Sequence, residues 1–139
     1  ARKEFDRLGL DRYPNLELVD YIYDMPVRLA AADVVINRAG AMTISELAAL
    51  GKPAILIPSP NVTDNHQYKN AKVLADAGAA VMIGEKDLSA GVLARETDAL
   101  LTDREKRRVL SENFGRFAIR NADFLIYNEI KNLVKSKKM

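Results

Sequence analysis

The sequence has no cysteine and no tryptophan, and a single histidine among 139 residues. Without thiols there is no disulfide framework, no thiolate zinc cluster and no cysteine nucleophile, and one imidazole cannot build a multi-histidine metal site. An excess of one charge is also missing: 21 Lys and Arg stand against 19 Asp and Glu, for a net charge of +2. So small and evenly spread a surplus excludes the basic footprint of a nucleic-acid-binding domain. No apolar run approaches the roughly 18 residues of a membrane-spanning helix. Several catalytic signatures are absent too. There is no Asp-x-Asp pair to clamp a metal-bound nucleotide sugar, and no Gly-x-Ser-x-Gly elbow. Gly51-Lys52 cannot close a phosphate-binding loop of the Walker type, because Pro53 follows the lysine.

What is present suits one folded domain. Hydrophobic residues make up 48% of the chain and charged ones 29%, enough for a core and too balanced for disorder. The chain opens on Ala1-Arg2-Lys3-Glu4, with neither an initiator methionine nor the apolar stretch of a signal peptide, and reads as part of a longer protein. Short apolar runs alternate with amphipathic ones. Leu16–Val19, Asp33–Asn37, Ala54–Ile57 and Ala79–Ile83 read as strands, the last three nearly continuous in apolar character, as in parallel strands covered on both faces. Between them the spacing predicts helices over Met25–Ala32, Thr43–Leu50 and Asn65–Ala77, with Gly51 and Gly78 just past the last two. This alternation predicts an α/β fold, a Rossmann-like doubly wound parallel sheet.

Such a fold usually opens with a strand, whereas Arg2–Leu8 reads as a helix; the first strand and its phosphate-binding turn are expected upstream of Ala1. From Ser89 onward only helices are predicted. Thr102-Asp103-Arg104-Glu105 has capping-box spacing, and Ala122, Leu125, Ile126, Ile130, Leu133 and Val134 form one apolar stripe. Lys131, Lys135, Lys137 and Lys138 cluster near the end. They fit an anionic membrane surface or, more plainly, a solvated helix end whose cations suit the dipole.

The most informative stretch is Asn37-Arg38-Ala39-Gly40-Ala41-Met42-Thr43-Ile44-Ser45-Glu46, which runs from a buried strand through small residues into a helix. Gly40 allows unusual dihedrals and a close approach to the backbone. The first helical N–H groups lack internal partners, and the dipole favours an anion there, so a diphosphate fits in front of Met42 and Thr43. An ordinary strand–helix turn explains the same pattern. Glu46 is equally ambiguous: Thr43–Glu46 matches a capping box, while a carboxylate in this place can also accept two ribose hydroxyls. In the next loop, Pro58 to Asn70, Thr63 or Asp64 is placed to cap the following helix. His66, Gln67 and Asn70 share a helix face, suited to sugar hydroxyls or simply to solvent.

On these residues the chain resembles the MurG family. The resemblance runs through Val19–Met25, Asn37–Leu47, Gly51-Lys52-Pro53, Ile57–Gln67 and Asn70-Ala71 to Ala77–Ala80, close over roughly residues 16 to 84 and loose in the helical tail. The family's enzymes move N-acetylglucosamine from UDP onto lipid I to make lipid II in peptidoglycan synthesis, at the cytoplasmic face of the bacterial plasma membrane. The resemblance implies the GT-B architecture, with residues 1–139 forming part of the C-terminal UDP-sugar-binding domain and the N-terminal acceptor domain lying outside the chain. Carried over by position, the backbone of Ile22 beside Tyr21 meets the uracil. Gly40, Ala41, Met42 and Thr43 face the diphosphate, Glu46 takes the ribose hydroxyls, and His66, Gln67 and Asn70 line the N-acetylglucosamine pocket. Relatives carry Gln where this chain has His66.

The implied partners are the UDP-N-acetylglucosamine donor and, through the other domain, lipid I; no nucleic acid is expected. Peripheral membrane association belongs to the full-length protein. Neither a metal nor a cofactor is expected, and no catalytic residue is assigned within the chain, which by itself should bind donor weakly and not catalyse transfer. Other readings stay open: a different GT-B sugar transferase or epimerase, a non-catalytic donor-binding subunit of a two-chain transferase, or a stand-alone nucleotide-binding module.

Overall fold

The computed structural model describes residues 2–136. Its element order is α1 (Arg2–Arg7), α2 (Met25–Ala31), β1 (Val35–Asn37), α3 (Ala41–Leu50), β2 (Ala54–Leu56), α4 (His66–Asp76), β3 (Val81–Met82), α5 (Ala90–Thr102), α6 (Arg104–Gly115) and α7 (Ala122–Ser136). The three strands form a parallel sheet in the order β1-β2-β3, with Ile36 opposite Ile55 and Leu56 opposite Met82. Parallel neighbours need a crossover, and α3 and α4 supply them.

Residue alternation along β2 divides the core between the two faces of the sheet. Ala54 and Leu56 pack with Leu29 of α2, Leu47 and Ala48 of α3, Ala71 and Leu74 of α4, and Phe114 of α6. Ile55 and Ile57 pack on the opposite side with Ile83, Leu100 of α5 and Leu110 of α6. Helices therefore cover both faces, as the apolar runs predict, and β2 is wholly buried. Gly51 and Gly78 both take φ of 61°, the left-handed geometry that ends α3 and the turn after α4.

Several expectations are corrected. Leu16–Val19 is not a strand: it joins no ladder among the described residues, and an extended segment becomes a strand only when a neighbour takes its N–H and C=O groups. Thr102 does not open a helix. It ends α5, its hydroxyl donating to the Asp98 carbonyl at 2.6 Å, and Asp103 caps α6 one residue later by accepting from the Lys106 N–H at 2.9 Å. Asp is the stronger cap and needs no glutamate three residues on. The stripe along α7 exists as helix, but Leu125, Ile126, Ile130, Leu133 and Val134 all lie exposed. Lys131 stands over the Tyr127 ring at 5.8 Å, while Lys137 and Lys138 lie outside the described residues. No helix among the described residues is long and apolar enough to cross a membrane.

Candidate functional site

Between β1 and α3 the chain has only Arg38, Ala39 and Gly40 in which to reverse. The unusual dihedral expected at Gly40 falls on its neighbour: Ala39 has φ of 62°, whereas Gly40 sits at φ −66°, ψ 141°, open to any residue. A non-glycine residue in the left-handed region costs about 1–2 kcal/mol. Hydrogen bonds offset part of that. The Asn37 Oδ1 accepts from the Ala39 N–H at 2.7 Å, and the Asn70 amide donates to the Ala39 carbonyl at 3.4 Å. Arg38 is anchored on the far side, donating to the Ile57 carbonyl at 3.4 Å and pairing with Glu85, which raises its pKa. A Cβ built at Gly40 would meet nothing within 4 Å. Neither backbone geometry nor packing therefore calls for glycine there, and its bareness leaves open space before the helix.

The first internal bond of α3 runs from the Ile44 N–H to the Gly40 carbonyl at 3.0 Å. The N–H groups of Ala41, Met42 and Thr43 have no acceptor among the described residues. Gly40 offers no capping side chain, whereas α5 and α6 are closed by Ser89 and Asp103. The first turn of α3 also carries no acidic residue to compete with an anion. The capping box that the spacing of Thr43 and Glu46 leaves open as one of two readings does not form. The helix starts two residues earlier, so Thr43 is already inside its first turn, and the exposed Glu46 carboxylate has no hydrogen-bond partner among the described residues.

Opposite this helix start lies the segment before α2. Val19, Asp20, Tyr21, Ile22 and Met25 face Met42, Thr43 and Glu46 across a cleft of about 580 Å³, a volume suited to a small-molecule ligand. The Tyr21 ring meets Tyr23 edge-on at 4.8 Å. Tyr21 is 69% exposed and Met42 82%, a large apolar surface for two residues beside a polar helix end. Arg28 braces the segment through Glu17 at 2.7 Å and Asp24 at 3.0 Å. Its hydrogen bond holds the Glu17 carboxyl below the usual carboxylate range.

The remaining predicted residues lie alongside rather than in this cleft. Ala41 and Asn70 line a narrower groove between α3 and α4. The start of α4 is built by Asp64 and Asn65, both left-handed at φ 53° and 54°. Neither Thr63 nor Asp64 caps the helix: Asn65 occupies the cap position without a side-chain bond, and Asp64 pairs instead with Lys69 at 3.0 Å. Side-chain caps typically sit on an extended residue, and the cap position here is left-handed instead. Gln67 accepts from the Ser59 N–H at 2.8 Å, fixing the proline loop, while His66 is exposed. Beyond them a cleft of about 500 Å³ runs between Pro58, Pro60, Tyr68 and Glu85. Sequence reasoning passed over this cleft and the role of Asn37; an Asn two residues before a turn is a signal for an Asx turn and could have marked the latter. No group of three or more His, Asp or Glu side chains among the described residues is arranged to hold a metal ion.

A parallel α/β sheet with an open helix start beyond its first strand, beside an apolar-rimmed cleft, is an arrangement at which α/β folds can hold an anionic ligand. Residues 2–123 match the glycosyltransferase family 28 C-terminal domain, and the chain belongs to that family. It is 47% identical over 131 residues to the UDP-N-acetylglucosamine–N-acetylmuramyl-(pentapeptide) pyrophosphoryl-undecaprenol N-acetylglucosamine transferase of Acetivibrio thermocellus, covering 94% of the chain and 36% of that protein. A relative of the same name from Bacillus thuringiensis is 45% identical over 121 residues, covering 87% of the chain and 33% of that protein. The crystal structure of Acinetobacter baumannii MurG superposes with a TM-score of 0.79 at 28% identity, over 94% of this chain and 39% of that one. The glycosyltransferase of kitacinnamycin, at 24% identity and a TM-score of 0.56 over 83% of this chain and 30% of that one, shares the fold. The chain thus spans about a third of the length of the curated relatives it matches.

Proposed function

We propose that this chain is the donor-binding part of an inverting glycosyltransferase that moves N-acetylglucosamine from UDP-N-acetylglucosamine to lipid I, forming lipid II. The observation that carries this reading is the uncapped start of α3, whose first three N–H groups have no acceptor among the described residues, with Met42, Thr43 and the Glu46 carboxylate, which has no hydrogen-bond partner among them either, lining one cleft with Tyr21 and Ile22. Relatives that are 45–47% identical and named for this transfer support the choice of sugar and acceptor.

In this reading the uracil lies beside Tyr21 and meets the backbone of Ile22. The ribose hydroxyls donate to Glu46, and the diphosphate faces Gly40 and the amides of Ala41, Met42 and Thr43. The sugar extends toward His66, Gln67 and Asn70 at the start of α4. Transfer forms a bond between the acceptor hydroxyl oxygen and the anomeric carbon, breaks the bond from that carbon to the β-phosphate oxygen, and releases UDP. The hydroxyl proton passes to a base outside this chain. Negative charge grows on the leaving UDP, and preorganised amides with the positive end of the helix stabilise it without reorganising. That assigns charge neutralisation to the helix start rather than to a divalent cation, in a chain that has no Asp-x-Asp pair. The same reading has the full-length protein work as a peripheral protein at the cytoplasmic face of the plasma membrane, and a lipid-linked acceptor supports its meeting a membrane surface.

The test is sugar transfer by the full-length protein to a lipid I analogue, with calorimetry of UDP-N-acetylglucosamine against UDP-glucose. Transfer in the presence of a chelator and tighter binding of the N-acetylated donor are expected. Absence of transfer, or equal affinity for both donors, overturns the assignment.

A further inference from the structure

We propose that Asn37 is a positioning residue for the diphosphate site: by locking Ala39 in the left-handed conformation, it aims the free amides of α3 into the cleft. The inference rests on the reading that the diphosphate sits at that helix start. Three features of the turn lead to it.

The turn between β1 and α3 needs a left-handed residue, and the chain places there an alanine that is 0% exposed, although glycine would adopt the geometry without strain. Something must hold Ala39 in place. The Asn37 side chain does so, its Oδ1 accepting from the Ala39 N–H at 2.7 Å, while its own backbone carbonyl accepts from the Ile57 N–H at 2.8 Å and pins it to the sheet. A rigid sheet position is thereby linked through one short bond to the residue that sets the direction of the helix.

The choice of asparagine is informative. Its Nδ2 is buried with no partner among the described residues, an orphan donor that aspartate would not have. Aspartate would supply the same acceptor oxygen, but with a negative charge beside the amides meant for an anion. Asparagine gives the acceptor without that charge, and the unsatisfied amide is the consequence.

Asn37 acts through Ala39 and not by touching the ligand, so its effect is on the fraction of molecules in the binding-competent turn. Losing the lock reduces apparent affinity by that fraction, about tenfold for a left-handed alanine whose remaining side-chain bond is the long one from Asn70 at 3.4 Å. Glycine at position 39 populates the same conformation unaided and makes the lock redundant.

The experiment uses the full-length protein and three variants, N37A, A39G and the double variant, with UDP affinity by calorimetry, thermal melting, and NMR of the Ala41–Thr43 amides. N37A should bind UDP about tenfold more weakly. A39G should bind as the parent does, with a lower melting temperature from the methyl-sized void. The double variant should recover parental affinity while staying less stable, a split that a merely structural role would not produce. Unchanged affinity in N37A, or failure of A39G to restore it, overturns the proposal. If UDP leaves the Ala41–Thr43 amides of the parent protein unshifted, the diphosphate reading itself is wrong and the lock falls with it. If those amides shift and N37A binds normally, only the lock is wrong.

Discussion

Gly40→Ala separates a residue required by the fold from one required by a ligand. At φ −66° and ψ 141° alanine is unstrained, and the added methyl meets no protein atom within 4 Å. Replacing glycine at a compatible position stabilises by about 0.4–1 kcal/mol through the unfolded chain. Alanine is a poorer N-cap than glycine by a similar amount, so the two effects roughly cancel. The melting temperature should therefore stay within about 3 °C of the parent. Gly51→Ala provides the contrast: φ of 61° and a Cβ only 3.2 Å from the Ser111 Oγ should lower stability by about 1–2 kcal/mol.

Binding should respond in the opposite order. Amides donate well only when the acceptor comes within about 2.7–3.2 Å, and a methyl in the open space before α3 pushes a phosphate outward by on the order of 1 Å. Losing one charged hydrogen bond forfeits about 1.5–3 kcal/mol, or one to two orders of magnitude in affinity. Calorimetry of UDP with the full-length Gly40→Ala protein should show that loss, while binding of uridine, which has no phosphate, should be nearly unchanged. An unchanged UDP affinity would refute the reasoning, and so would an affinity loss matched by a fall in stability or by an equal loss for uridine.

Glu46→Ala should weaken UDP binding about tenfold and abolish discrimination against 2′-deoxy-UDP, since a carboxylate accepting a ribose hydroxyl contributes about 1.5 kcal/mol or more; retained discrimination in competition calorimetry would move the ribose elsewhere. Arg28→Ala should let the Glu17 carboxyl titrate at a higher pH, measurable by NMR of its side chain. The sign follows from the direction of the shift: a folded pKa held below the ordinary range favours the braced segment above that range, and the contribution is lost as pH falls through the depressed value. Nucleotide affinity of the parent should therefore weaken in that acid window, and the Arg28→Ala variant should lack this step.

Periodicity and glycine placement made the layered sheet legible, because Ala54–Ile57 has no polar residue with which to face solvent and Gly51 and Gly78 mark the exits of α3 and α4. The stretch from Asn37 to Glu46 was legible as a strand running into an open helix. What failed were the assignments that needed a partner in space. Leu16–Val19 has the composition of a strand, yet ladder bonds come from a neighbour and not from propensity. The Thr43–Glu46 box depended on where the helix begins, and the left-handed Ala39 advances that point to Ala41. Thr102 against Asp103 and Asp64 against Asn65 are shifts of one residue, set by backbone angles that spacing does not reveal.

Departures from local rules occur at the left-handed, uncapped start of α4 and along the exposed α7 stripe, but one edge of the sheet combines several of different kinds. The buried core keeps apolar residues apolar and alternates Ala54, Ile55, Leu56 and Ile57 between the two faces, and the helices α5 and α6 are capped. Along the edge beyond the carboxyl end of β1 the rules break together. A left-handed alanine, an orphan asparagine amide, a helix without a cap, a glycine no protein contact requires, and a bare methionine and tyrosine all gather there. Each is unfavourable or neutral for the isolated fold, and local conflicts of this kind concentrate where function opposes stability. In the proposed reading, a bound nucleotide diphosphate relieves several of them at once, satisfying the amides, filling the space before Gly40 and covering Met42 and Tyr21. Full-length protein should accordingly melt at a higher temperature with saturating UDP, by an amount that grows with the logarithm of ligand concentration. The same increment should shrink in Gly40→Ala. An identical ligand-induced rise in both proteins would mean that the conflicts along this edge have another cause.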